Sequence, residues 1–150
     1  MHAPYLEVSR NLFTLFADDV RQEIGNKLTI VGVYQAQMLV PKFPLVLPKL
    51  AIVMSATTPH SEPFEEIIFE VLRDSTVIQE VNFDPEEIQV PVAADTEGRE
   101  ELLQVQCIAV LGPLQFDGPC TLQTRLKTEE GYLRGATLQI LQTPTRQTTH

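Results

Sequence analysis

Apolar and polar positions alternate with a period of two along most of this chain, the spacing of residues on the two faces of a β-strand. The pattern begins in residues 12–17, an aromatic and apolar run, LFTLFA. It resumes in residues 27–34, with Leu28, Ile30, Gly32 and Tyr34 on one side and Thr29, Val31 and Val33 on the other. A polar segment, Asp18 to Ile24, leads into a turn at Gly25-Asn26, so the block predicts two antiparallel strands. Residues 35–40 continue the second strand or form a short one. The three prolines of residues 41–49 lack the ladder N–H and hold their predecessors extended, which predicts a crossover between sheets. Residues 50–56 read as a strand with Leu50, Ile52, Met54 and Ala56 on one face, followed by a loop at 57–63.

Residues 64–83 support two readings. Phe64, Ile67, Ile68, Val71 and Leu72 fall at helical spacing behind Ser61 and Pro63, which gives a short helix near 62–72. That helix would turn Phe69 to its polar side, and Ile67-Ile68-Phe69 is rich in strand formers. A hairpin centred on Asp74-Ser75 accounts for the same residues and is the preferred reading. Beyond it, IQVPV suits a short edge strand, where proline is tolerated. Asp95-Thr96-Glu97-Gly98 is a turn, and residues 102–111 read as a central strand. Cys120, Leu122, Thr124 and Leu126 then alternate with polar residues, Glu129-Glu130-Gly131 turns, and residues 132–141 return as the second arm of a hairpin.

Seven to nine strands without alternating helices predict an all-β fold, a single-domain antiparallel β-sandwich of immunoglobulin-like or C2-like type. It would span residues 11–142, between a flexible arm at 1–10 and a disordered tail at 143–150. The length of 150 residues and apolar fraction of 43% suffice for one core. No run of eighteen apolar residues is present, and the N-terminus lacks the basic start and apolar stretch of a signal peptide. The expectation is a cytoplasmic protein with no membrane association. Cys107 and Cys120 sit among apolar neighbours and read as buried thiols.

Charge narrows the choice of function. The net charge is −9, and residues 62–101 hold thirteen acidic residues against Arg73 and Arg99. A nucleic-acid binder needs a basic stripe, so direct nucleic-acid binding is not expected. The acidic block either keeps the chain soluble or docks on a basic protein partner, with Glu86, Glu87, Glu97 and Glu100 as candidate surface residues. A variant of that idea is an inhibitor that imitates the phosphate rows of DNA.

Chemistry is sparse. No glycine-rich phosphate loop or nucleophile elbow occurs, and His60 is the only internal histidine. The histidines and cysteines do not supply four zinc ligands, and no cofactor is expected. Asp18, Asp19, Arg21 and Glu23 form the one compact polar constellation. Asp18, Asp19 and Glu23 are candidate ligands for calcium at the end of a sandwich. Against that, Arg21 and Lys27 lie close enough to neutralise them, and on an extended chain Asp18 and Glu23 point to opposite faces.

The opening block resembles a family of small uncharacterised proteins of bacteria and their phages. The matching positions are Asp18, Asp19, Arg21, Glu23, Gly25, Lys27, Thr29, Ile30, Gly32 and Tyr34. The resemblance implies a β-sandwich of immunoglobulin or C2 type and brings no activity and no catalytic residues. The expectation is therefore a non-enzymatic protein–protein interaction module of bacterial or phage origin, an assembly component or a modulator of a host factor. Its partner is a protein of unknown identity, and sheet edges offer a route to a homo-oligomer. The alternatives are a β-sandwich that binds a small ligand or calcium, and the DNA mimic.

Overall fold

The computed structural model describes residues 3–4, 9–92 and 101–144. The expected turn at 95–98, most of the arm at 1–10 and residues 145–150 of the expected tail lie outside the described residues.

The chain forms two five-stranded sheets and a small two-stranded one. In chain order the strands are β1 (Asn11–Glu23), β2 (Lys27–Val33), β3 (Gln37–Val40), β4 (Leu45–Leu47), β5 (Leu50–Pro59), β6 (Ile67–Arg73) and β7 (Thr76–Phe83). A helical turn, α1 (Pro85–Ile88), precedes β8 (Val90–Pro91), β9 (Leu102–Leu111), β10 (Leu114–Phe116), β11 (Cys120–Thr128) and β12 (Gly131–Gln142). The first sheet runs β2-β1-β5-β9-β8 and the second β3-β12-β11-β6-β7, while β4 pairs with β10. Every pairing is antiparallel except β12 with β3, which is parallel. The all-β sandwich is thus the fold, with more strands than the seven to nine expected because short elements are counted.

The core lies between the sheets. Phe16, Ile52, Met54 and Val105 of the first meet Phe69, Val71, Leu122, Leu126 and Ile140 of the second. Thr14 Oγ1 and Thr124 Oγ1, one from each sheet, share a buried 2.8 Å hydrogen bond. Gly135 makes this approach feasible, because a β-carbon there would lie 2.1 Å from Thr124 Oγ1 and 2.8 Å from Thr14 Oγ1. The β11–β12 register shifts between Gln123 and Arg125, beside this point.

Several expectations are corrected. The short helix near 62–72 does not form: Ile67, Phe69 and Val71 alternate into the core, and Phe69 is 1% exposed. Asp74 and Ser75 take φ of 45° and 76°, the left-handed geometry of a tight hairpin turn. The helical turn instead follows Asp84, whose side chain accepts a hydrogen bond from Glu86 N. Strand β1 does not stop at residue 17 but continues to Glu23, in register with β2 as far as Glu23 opposite Lys27. Its far half overhangs the core, so polar side chains are tolerated on both faces. Strand β9 is not central: β5 holds the middle of its sheet, and β9 has only the two-residue β8 beyond it.

Candidate functional site

Strand β1 places the acidic constellation. Neighbouring residues on a strand face opposite sides, so Asp18 and Asp19 diverge. Asp18 lies over Gly32, and its Oδ1 accepts a 2.5 Å hydrogen bond from Tyr34 Oη. Partial burial and this bond push the Tyr34 hydroxyl up to about 12. Asp19 points to the outer side, where Lys49 Nζ lies 2.7 Å from its Oδ1. The Lys49 hydrogen bond, with help from Val20 N and Arg21, holds this carboxyl below its usual range. Glu23 shares the Asp19 side but stands four residues further along, about 13 Å away at strand spacing. The structure therefore does not gather Asp18, Asp19 and Glu23 into one ligand set, and no metal-holding group of three acidic, histidine or cysteine residues occurs among the described residues. His60 follows the far end of β5, separated from the Asp18 end by about 30 Å of strand.

Glu86 and Glu87 lie in the first turn of α1, while Glu97 and Glu100 are outside the described residues. Beside α1 is an open groove of about 620 Å³, bordered by Phe64, Pro85, Glu86 and Leu103. Gln89 shapes it: its Oε1 accepts from Phe64 N, and its Nε2 donates to Phe64 O and Pro85 O. The described acidic residues of the block have separate roles. Glu70 is buried against Arg125 on the second sheet, Asp74 accepts from Thr121 N, and Asp84 caps α1.

A latch holds the same end, with the Arg10 guanidinium over the Phe64 ring. Arg10 Nε donates to Thr58 Oγ1, its Nη2 donates to the carbonyls of Glu62 and Pro63, and it pairs with Glu129 at 2.5 Å. Burial alone would raise the Glu129 carboxyl, but the bonds from Arg10 and from Glu65 N outweigh it and hold the group below its ordinary value. The thiols are free, and burial pushes Cys107 up to about 11.

The feature that sequence reasoning missed is the outer side of the first sheet. Outward residues of β2, β1, β5 and β9 line up as the row Val33, Ala17, Ala51, Val110. The next row holds Leu15, Val53 and Ile108, and the third holds Phe13 beside the polar Ser55 and Gln106. Phe13, Val31, Val33 and Val110 are 44–58% exposed. The outer side of the second sheet differs, carrying Glu70, Glu80, Arg125 and Arg134. An antiparallel sheet normally keeps one face polar, and contiguous exposed apolar surface marks an interaction site. The signal was present in the sequence: residues 12–17, 50–54 and 107–111 are apolar with almost no polar alternation.

The two packed sheets define an all-β sandwich. Residues 12–141 match the family model DUF6941, a family of unknown function, and the chain belongs to that family. No curated protein and no solved structure matches the chain.

Proposed function

We propose that this chain is a non-enzymatic protein-interaction module that docks through the outer face of its first sheet. The observation behind this reading is the exposure of Phe13, Val31, Val33 and Val110 on a sheet whose inner face already forms the core. Water contact with such a face is unfavourable by roughly 25 cal/mol per Å² of apolar surface, and docking relieves it. No helix among the described residues is long and apolar enough to cross a membrane. The free cysteines accord with a reducing cytoplasm, in a bacterial cell or one occupied by its phage.

The test is affinity capture from native host lysate with the tagged full chain and two variants. Val110→Glu places a charge on the apolar face and should abolish capture. Thr137→Glu, on the outer side of the second sheet, should leave it intact. Capture that survives Val110→Glu but fails with Glu86→Lys and Glu87→Lys would move the docking surface to α1 and defeat this reading.

A further inference from the structure

We infer that the groove beside α1 seats a short basic segment of a partner protein. This goes beyond the docking face of the first sheet and does not depend on it.

The groove is built in advance of any ligand. Pro63, Pro85 and Pro91 border it, and the ring of a proline fixes its φ. Phe64 and Leu103 close the floor, with the Arg10 guanidinium 4.6 Å from the centre of the Phe64 ring. Gln89 exchanges two hydrogen bonds with the Phe64 backbone and donates a third to Pro85 O, which fixes α1 against this floor. A site already in its bound shape loses little entropy on binding. The volume of about 620 Å³ lies within the roughly 300–1,000 Å³ of ligand sites. The groove is open, which suits a chain passing through it better than an enclosed small molecule.

Charge names the occupant. Glu65, Asp84 and Glu86 stand on the border, and no Lys, Arg or His among the described residues lines the groove. The carboxylates of Glu65 and Glu86 are exposed and make no ion pair among the described residues. Arg10 and Lys127, at this same end, are engaged by Glu129 and Glu66, so the rim stays negative. The rim carboxylates do not join a metal-holding group of three among the described residues. They fit cations carried on side chains instead.

An apolar floor under an acidic rim complements lysine and arginine. Their aliphatic stems lie along apolar surface while the charged heads reach carboxylates. A basic segment is also drawn towards a chain of net charge −9 from a distance.

The experiment is fluorescence anisotropy of the full chain with a short labelled peptide of alternating arginine and leucine. Micromolar binding at low salt is expected, weakened at high salt by screening. A peptide of alternating glutamate and leucine should not bind. Glu65→Lys combined with Glu86→Lys should weaken binding at least about tenfold, with an unchanged circular dichroism spectrum. Glu23→Lys combined with Asp117→Lys makes the same total change of charge at the other end of the sandwich and should weaken it less than about twofold. No binding by the wild-type chain at low salt overturns the proposal. Equal weakening by the two variant pairs also overturns it, since the attraction is then general and not seated in the groove. Loss of the peptide on Val110→Glu but not on the rim variant places it on the first sheet, which overturns the groove and leaves the docking face standing. Peptide binding that needs the rim, with lysate capture indifferent to Val110→Glu, supports the groove and removes the docking face.

Discussion

The carboxylate of Asp18 occupies the space that a β-carbon on Gly32 would need: Oδ2 would lie 2.1 Å from it. Gly32 also holds φ of +69°, a left-handed geometry in a strand. Both facts forbid a side chain at residue 32. Gly32→Ala should destabilise the fold by about 1–3 kcal/mol in urea denaturation. Adding Asp18→Ala should recover the steric share and leave the backbone share. Full recovery would mean that the backbone geometry carries no strain.

Tyr34 reports on the same corner. Its hydroxyl is raised from the ordinary 10 to about 12 by partial burial and by the bond to Asp18. The folded state keeps the proton after the unfolded chain has lost it. The stabilising contribution is therefore full below pH 10 and lost as pH rises towards about 12. Ultraviolet titration of phenolate should show one of the three tyrosines ionising late, and Tyr34→Phe should remove that late step.

The Arg10 latch makes an acid-side prediction. The Glu129 carboxyl is depressed below 4.5, so the pair stabilises the fold above that value and weakens as pH falls through the folded one. Arg10→Ala leaves Glu129 without its partner and frees the carbonyls of Glu62 and Pro63. The expected loss is about 1–2 kcal/mol, with a shallower fall in melting temperature below pH 4.5 than in wild type. Arg10→Lys should not restore the loss, because one ammonium cannot reproduce the guanidinium fork.

Calcium should be inert here. Asp18 is engaged by Tyr34, Asp19 by Lys49, and Glu23 stands apart. Millimolar calcium should leave the melting temperature unchanged in differential scanning fluorimetry. A rise of several degrees would show that the three carboxylates can rearrange into a ligand set.

Gly135 allows the close approach between the sheets. Gly135→Ala would drive a methyl group into the Thr14–Thr124 pair and should cost about 1–3 kcal/mol. Serine at Thr14 keeps the hydroxyl, so Thr14→Ser should be milder than Gly135→Ala. Equal losses would mean that the methyl packing of Thr14 matters as much as the crowding at residue 135.

Much of this architecture is legible in the sequence, for local reasons. The hairpin around Asp74-Ser75 and the one ending in Gly131 are written by turn residues between alternating arms. The opposite faces of Asp18 and Glu23 follow from strand geometry alone, and the strand proves continuous through both. Other features depend on distant partners. The polar half of β1 resembles a loop because its pairing with β2 extends beyond the core that would mark it as strand. Arg10 reaches Glu129 across 119 positions, and no local pattern predicts that. The outer face escapes notice for a different reason. An apolar run shows that both sides of a strand are hydrophobic, but only the packed sheets show which residues stay exposed, among them Phe13, Val33 and Val110.

The two alanines on that plane have a consequence for the lineage. Ala17 and Ala51 face outward, where drift would ordinarily be free, yet both are 0% exposed. If another molecule docks on that plane, selection should keep these two sites small. The valines at 33 and 110 should then vary in concert with whatever they fit, so related chains carry a written record of the occupant.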